Sequence, residues 1–191
     1  MADGFAAASM DRIARAAKVS KPTLYKYFED KEHLFTSLVQ HLVQDKRQML
    51  VDAALSTNTN ISAEQVLRHV ATSVIESFSA SQALLRLMRL IIGESERFPK
   101  LAQTFVEEIQ KPILETLSSF FASQPQLQLP DPMVAARIFA GSIIHYLIIQ
   151  NVLHGSEILP MERDRMVEGI VDLITARSGD SPSHSGANPE S

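Results

Sequence analysis

Amino and hydroxyl groups crowd one short stretch of the sequence, SKPTLYKYFEDK, at residues 20–31. Lysine and threonine side chains bond to base edges in protein–DNA complexes, and lysine and tyrosine side chains bond to phosphates. The apolar residues among them, Leu24 and Phe28, lie four positions apart and therefore share one face of a helix. The pattern predicts a short helix with an apolar back and a front suited to the major groove.

Helix-start signals show which elements position that front. Ser9 is an N-cap candidate for a helix over 10–17, and Ser20 is one for a second helix over 21–28, with Pro22 tolerated in its first turn. A three-residue turn separates the two, which is the arrangement of a helix-turn-helix. Ala14 and Ala17 supply small side chains where the helices cross. Spacing alone leaves a second interpretation open, an amphipathic helical hairpin with a solvated basic face.

The rest of the chain shows the 3.6-residue apolar period of helices and no strand-like alternation. Helices are predicted at about 31–51, 62–79, 82–95, 98–123 with a kink at Pro112, 133–153 and 161–176. The stretch 133–153 contains Arg137 and His145, so a helix buried on two sides is favoured over a membrane span. Residues 56–60 are expected to form a loop, and the Ser-, Gly- and Pro-rich residues 178–191 a disordered tail.

Composition bounds the class of protein. The 191 residues contain no cysteine, which excludes disulfides and cysteine-based metal sites and favours the cytoplasm. The first residues have neither the basic nor the apolar segment of a signal peptide. Net charge is −4, yet residues 1–47 carry eight Lys or Arg against six Asp or Glu, whereas the remainder carries ten against sixteen. A basic end on an acidic body agrees with DNA binding at that end.

The run GFAAASMDRIARAAKVSKPTLYKYFEDKEHLF, at residues 4–35, resembles the DNA-binding domain of the tetracycline-repressor (TetR) family of bacterial transcription regulators. That family has Gly-Phe, then Ile-Ala-x-x-Ala-Gly-Val-Ser, a recognition helix ending Tyr-x-Tyr/His-Phe, and Lys-Glu-x-Leu-Phe. The segment RLMRLIIGESERFPKLAQTFVEEI resembles a common type of body in the family. The resemblance implies an all-α homodimer with an N-terminal helix-turn-helix domain, a C-terminal helical domain for ligand binding and dimerisation, and release of DNA when a small molecule binds.

Two departures from the family pattern carry expectations. Lys18 stands where the family has glycine, at a position that often needs φ > 0, so two alternatives are open: some strain at Lys18, or a slightly different turn. Only Met1-Ala2-Asp3 precedes Gly4, where the family has a full helix. A start placed too late, a missing part and a domain that lacks its first helix are all open. Without that helix, the DNA-binding domain is expected to be held loosely.

The predicted domains are residues 1–50, with the helix-turn-helix at about 9–28, and residues 51–177, followed by the tail. DNA contacts are predicted for seven residues: Ser9, Lys21, Thr23, Tyr25, Lys26, Tyr27 and Lys31. An effector site among the helices of the second domain has these candidates: His69, Arg86, Arg89, Phe105, His145 and Tyr146. Each has a structural alternative, such as an ion pair for the arginines or a carbonyl contact for the histidines.

Surplus apolar surface on the helices over 132–153 and 161–176 predicts a twofold dimer, and Ile143 and Ile170 are the expected interface positions. No catalytic motif, metal or cofactor is expected, so the protein is predicted not to be an enzyme. The favoured function is a ligand-responsive regulator, most often a repressor in such families. It would bind a palindromic operator as a dimer and leave it when an apolar or amphipathic effector binds. The alternative is a helical protein-interaction adaptor that does not bind DNA.

Overall fold

The computed structural model describes residues 8–38, 40–41 and 61–176, and every regular element within these ranges is helical. The first two helices are Met10–Ala16 (α1) and Lys21–Tyr27 (α2), and a third (α3) is helical at residues 31–38 and 40–41. The body consists of Ala63–Ala80 (α4), Gln82–Glu94 (α5), Pro99–Phe105 (α6), Lys111–Ala122 (α7), Pro132–Leu147 (α8) and Arg163–Thr175 (α9). The expectations for residues 1–7, for the third helix beyond 41, for the loop 56–60 and for the tail 178–191 lie outside the described residues.

The predicted caps fix the two helices of the helix-turn-helix. The Ser9 side chain accepts a hydrogen bond from the Arg12 backbone N–H at 3.3 Å, and the Ser20 side chain accepts one from the Thr23 N–H at 3.2 Å. Each cap satisfies a backbone donor that has no partner inside its own helix. Lys18, in the turn between the helices, has φ of 56°. A side chain is disfavoured there relative to glycine. Of the two alternatives for Lys18, the structure has the strained one.

A small cluster joins α1 to α2. Met10, Ala14 and Leu24 are its buried members, and Ile13, Phe28 and Leu34 pack against them half-buried. Ala14 is therefore the small residue at the crossing, whereas Ala17 is exposed, so the expectation for Ala17 was wrong. Ala17 is the C-cap residue of α1 and follows its last helical residue.

The main core of the body lies between α4, α7, α8 and α9. Its most enclosed side chains include Leu67, Phe139, Leu147 and Val171. The ends of these helices follow the sequence signals: Ser62 and Gln65 form a reciprocal capping box at α4, and the Asp131 carboxylate accepts from two backbone N–H groups at the start of α8. Burial of the apolar faces of four helices supplies most of the driving force for this arrangement.

The helical stretch Pro132–Val152 has 21 residues and a mean hydropathy of 1.6, enough by length and composition alone to cross a membrane. Its inward face, with Phe139, Ile143 and Leu147, is part of the main core. Val134 and Ile138 on the opposite face are exposed. The helix is thus covered on one side by its own chain, rather than on two as expected.

The predicted long helix at 98–123 is interrupted near Pro112. Between α6 and α7, residues Val106–Gln110 form a π-helical turn, and the Lys111 N–H donates to the Val106 carbonyl five residues back. Proline has no N–H and its ring crowds the carbonyl four residues earlier, which is the physical reason for the wider turn. The disturbance expected from Pro112 is confirmed, and its location is the turn just before the proline.

Helix α3 contacts both parts of the chain. Leu34 packs on the helix-turn-helix cluster, whereas its neighbour Phe35 is buried in a body cluster with Leu84, Leu87, Ile91, Leu101 and Ile109. The Gln40 side-chain amide also donates to the Glu108 carboxylate at 2.9 Å, across to the π-helical turn. Adjacent residues of one helix therefore belong to two different cores.

Candidate nucleic-acid interface and ligand cavity

The exposed face of α2 carries most of the side chains predicted to contact DNA. Thr23, Tyr25, Lys26 and Tyr27 are all exposed, while Leu24 alone on this helix is buried. The ammonium groups of Lys21 and Lys26 lie over the rings of Tyr25 and Tyr27, at 5.8 Å and 5.9 Å from the ring centres. Cation–π contacts of this kind hold the long side chains along the helix surface.

Lys21 also has an acidic partner on α1. Its Nζ lies 2.7 Å from a carboxylate oxygen of Asp11, and both side chains are about half exposed. The hydrogen bond that the Lys21 ammonium donates to Asp11, followed by the charge of Asp11, raises the pKa of Lys21 above its ordinary value. The pair joins the two helices of the helix-turn-helix, and Lys21 stays a cation throughout the neutral range.

Ser9 and Lys31 stand apart from this face. Ser9 is exposed, and its hydroxyl caps α1. Lys31, at the start of α3, is half-buried, and its Nζ lies 5.7 Å from the centre of the Phe98 ring in the body. Of the seven predicted DNA contacts, five are thus exposed on α2, one caps α1, and one touches the body.

A cavity of about 290 Å³ lies in the body. Apolar side chains of α4, α5, α7 and α8 form most of its wall, and Phe105, Ile109 and Gln110 close it from α6 and the π-helical turn. Seventeen of its eighteen lining residues are apolar, and Gln110 is the one polar residue among them. Such a cavity suits a small ligand whose surface is mostly hydrocarbon or aromatic.

Of the effector candidates predicted from sequence, Phe105 lines the cavity. His69, Arg86 and His145 are exposed on their helices, and Tyr146 is half-buried against the main core. Burial, followed by the charge of Glu162, raises the pKa of Tyr146. These four residues are not among those that line the cavity.

Arg89 has a structural role. Its guanidinium donates to the Asn151 carbonyl at 2.8 Å and to the Val152 carbonyl at 3.1 and 3.2 Å. Those carbonyls end the helical stretch that follows α8, where the last backbone acceptors have no partner within the helix. Arg89 therefore joins α5 to that end and does not line the cavity.

Sequence reasoning missed Gln110. The signal that could have found it is Pro112, because a proline-induced wider turn rotates the residues just before it relative to a straight helix. In a straight helix, Gln110 would lie one residue, about 100°, beyond the apolar position Ile109 and would read as a solvent-facing side chain.

The interface residues expected from sequence need correction. Ile143 and Ile170 belong to the main core of their own chain and are 3 % and 6 % exposed. Both helices are apolar on more than one face, so periodicity could not tell the face toward the chain's own core from the outer one. The apolar side chains on the outer faces are Val134 and Ile138 of α8 and Leu173 of α9, exposed at 49 %, 57 % and 81 %.

An exposed helix-turn-helix with a basic, hydroxyl-rich front, joined to a helical body with an apolar cavity, is the arrangement of a DNA-binding regulator. Family models match both parts: bacterial regulatory proteins of the tetR family at residues 1–38, and the C-terminal domain of AefR-like transcriptional repressors at residues 65–179. The chain belongs to the TetR family of transcriptional regulators, which are non-enzymatic DNA-binding proteins.

Solved structures of the same fold cover most of the chain. A TetR-family transcriptional regulator from Mesorhizobium loti MAFF303099 is 26 % identical, with a TM-score of 0.73 over 91 % of this chain and 87 % of its own. The flavonoid-responsive regulator FrrA is 28 % identical, with a TM-score of 0.68 over 92 % and 88 %. FadR from Bacillus subtilis, in complex with stearoyl-CoA, is 17 % identical, with a TM-score of 0.70 over 91 % and 90 %, and shows the fold alone. No curated protein matches the sequence.

Proposed function

We propose that this protein is a cytoplasmic, ligand-responsive repressor that binds a palindromic operator as a homodimer and leaves it when a small apolar effector enters the cavity. The observation that carries the proposal is the pairing of the exposed α2 surface with an apolar cavity through one connecting helix. The match of residues 65–179 to the C-terminal domain of AefR-like transcriptional repressors supports repression over activation. We also propose the domain boundary near residues 50–51, which lies outside the described residues.

The α2 face is proposed to enter the major groove. Thr23 stands where a base edge would be read, and Lys21, Lys26, Tyr25 and Tyr27 flank it with phosphate-binding groups. Two flanking positions complete the proposed footprint: Ser9 and Lys31. Two such units in a dimer must reach major grooves about 34–36 Å apart, which is why a palindromic site is expected.

Dimerisation is proposed to cover the outer faces of α8 and α9. Val134, Ile138 and Leu173 would otherwise leave apolar surface in water. Gly141 on α8 and Gly169 on α9 have open space where a Cβ would stand, so a partner helix could approach closely at both. A twofold axis would bring α8 and α9 against their mates as a four-helix bundle.

Release of DNA is proposed to pass through α3. Leu84, Leu87, Ile91 and Ile109 line the cavity and also belong to the buried cluster that contains Phe35. A ligand that displaces these side chains acts on Phe35, and α3 moves Leu34 and the helix-turn-helix cluster with it. Coupling requires that the ligand bind one position of α3 better than the other.

The effector class is proposed from the cavity wall. A wall of hydrocarbon side chains offers dispersion and desolvation to an apolar ligand and no ionic partner to a charged one. One similar structure, 28 % identical, is that of a flavonoid-responsive regulator. Its name supports an effector with a large aromatic part.

The test is a gel shift with DNA from the region upstream of the protein's own gene. We expect a shifted band that weakens steeply with salt, since phosphate contacts release counterions. Replacing Tyr25 and Lys26 together by alanine should abolish the shift without changing the helix content. Small apolar compounds added to the wild-type complex should then return free DNA.

Two outcomes would contradict the proposal. Absence of a shift with the upstream region and with a randomised DNA pool would favour the protein-interaction adaptor. A shift that the double variant retains would place the DNA-binding surface away from α2.

A further inference from the structure

The lining of the cavity contains one polar side chain among apolar ones. Gln110 brings an amide into a lining that is otherwise hydrocarbon and aromatic. Within the described part of the chain, no hydrogen bond of this side chain to protein is found, and it is half-buried. An amide has two N–H donors and a carbonyl acceptor, so it can serve a ligand that presents either role.

The π-helical turn places Gln110 there. The turn spans Val106–Gln110 and uses a hydrogen bond over five residues, so each residue advances by a smaller angle than in an α-helix. Gln110 therefore stays close to the face that carries Phe105 and Ile109, both of which line the cavity. Pro112 makes this geometry a property of the sequence, because it cannot donate the hydrogen bond that would continue an α-helix.

The same wall excludes charge. None of its eighteen residues is ionisable. The guanidinium of Arg89 is bonded to backbone carbonyls beyond α8. A carboxylate or ammonium group inside the cavity would lose its water without gaining an opposite charge, which is strongly unfavourable.

We propose that Gln110 is the hydrogen-bonding contact of the cavity and that its ligand is an uncharged, compact apolar molecule with a hydroxyl or carbonyl group facing this amide. The assignment rests on the proposed function for its biological meaning, because the ligand would be the effector. It adds a specificity-determining residue and a chemical class to a cavity that otherwise selects by size and apolarity alone.

The test compares three ligands that share one frame: naphthalene, 2-naphthol and 2-naphthoate, titrated into the full chain by calorimetry. The variants are Gln110→Leu and, as a matched control, Gln103→Leu, because Gln103 is exposed on α6 and does not line the cavity. Gln110→Met, closer in shape to glutamine, is measured in parallel, and helix content by circular dichroism verifies that each variant is folded.

We expect Gln110→Leu and Gln110→Met to lower the affinity for 2-naphthol relative to naphthalene by roughly 3- to 10-fold, the effect of one neutral hydrogen bond. Gln103→Leu should leave that ratio unchanged. In the wild type, 2-naphthoate should bind at least about tenfold more weakly than 2-naphthol, because its charge has no partner.

Three results would overturn the assignment: an unchanged ratio in both Gln110 variants, 2-naphthoate binding as tightly as 2-naphthol, or no binding of naphthalene and 2-naphthol to the wild type. Operator release is measured separately with 2-naphthol. If the ratio falls as expected but DNA stays bound, the Gln110 assignment stands and the proposed release mechanism fails. If 2-naphthol releases DNA but the affinity ratio does not change in the Gln110 variants, the proposed release mechanism stands and the Gln110 assignment fails.

Discussion

Among the residues that the structure describes, the DNA-reading part (the reader, residues 8–38 and 40–41) and the body (residues 61–176) differ in the number of buried side chains in their cores. The helix-turn-helix cluster has three buried side chains within the described residues, whereas the main core of the body has nineteen. The reading part instead presents its lysines, tyrosines and threonine to solvent. Residues that must contact DNA cannot also form a core, so a small reader has few left for its own stability.

The difference shows why α3 matters. Phe35, 3 % exposed, is buried in the body and not in the reader to which its neighbour Leu34 contributes. The reader is therefore held in part by contacts that the body makes with α3. A part with a thin core opens more readily than one with a thick core, and readily opened parts are the ones that ligands can shift.

The largest expected effect tests whether the outer face of the body has a partner. Ile138→Glu combined with Leu173→Glu should produce monomers, because two charges would enter the proposed interface. Loss of the second reading unit should lower operator affinity by roughly 10²- to 10⁴-fold. Sedimentation and the gel shift measure the two consequences.

The control for that pair is Ile158→Glu, since Ile158 is 80 % exposed and lies between α8 and α9 rather than on their outer faces. It should remain dimeric. If the double variant sediments as a dimer, the interface lies elsewhere. Ile143 and Ile170, the positions expected from sequence, are unsuitable for this test because charging them would disrupt the chain's own core.

The second prediction sets the two cores directly against each other. Leu67→Ala, at a fully buried position of the body, should lower the free energy of unfolding by about 2–5 kcal/mol. Leu24→Ala should instead open the reader locally. Amide exchange should accelerate at residues 10–27 while protection in α4 and α8 stays as in the wild type.

Leu159→Ala serves as the control for both leucines, since Leu159 is 63 % exposed and its truncation should change little. Should Leu24→Ala accelerate exchange in α4 as much as in α1 and α2, the two parts would unfold as one unit. The contrast between a thin and a thick core would then have no consequence for dynamics.

The local elements could be predicted because their signals are local. Caps at Ser9, Ser20 and Asp131 depend on a side chain and a backbone N–H two or three residues away, so the sequence contains the whole interaction. The disturbance before Pro112 follows from a single residue in the same way, whereas the positive φ at Lys18 was among the alternatives only because the family that the chain resembles has glycine there. The family resemblance then assigned the fold of the reader.

An effector site in the body and an apolar face on the last two helices could be predicted, but most of the residues that line the cavity and those that face outward could not, because they depend on which helices meet. On α8, Ile138 and Ile143 are equally apolar, yet one is exposed and the other buried. Arg89 had carboxylates as expected partners, whereas its actual partners are carbonyls 62 and 63 residues away. Gln110 lies in the cavity wall because of the π-helical turn, and a 3.6-residue apolar period does not describe the direction of side chains in such a turn.

The third prediction concerns the recognition of DNA bases by the exposed surface of α2. Thr23→Ala should change sequence preference at about one base pair per half-site, at a cost of about 1–3 kcal/mol for the preferred base. The Thr23 hydroxyl lies 2.7 Å from that of Ser20, but the cap is the Thr23 N–H, which the alanine variant keeps. Selection from a randomised operator library measures the change. Thr104→Ala, in α6, is the matched control, and an unchanged preference in Thr23→Ala would remove Thr23 from the base readers.

The smallest expected effect concerns Asp11, whose carboxylate holds Lys21 at 2.7 Å on the surface of the reader. To bond a phosphate, Lys21 must leave a partner that is itself repelled by DNA. An exposed ion pair is weak, so Asp11→Asn should tighten operator binding by no more than about fivefold at low salt. The gain in affinity should shrink as salt screens the charges.

Asp164→Asn is the control. It removes a similar exposed partner, at 2.7 Å, from Arg163 in the body and should leave DNA affinity unchanged. Equal or weaker binding by Asp11→Asn would mean that Lys21 acts mainly to hold α1 against α2. Fewer of the exposed lysines would then contact DNA than their exposure indicates.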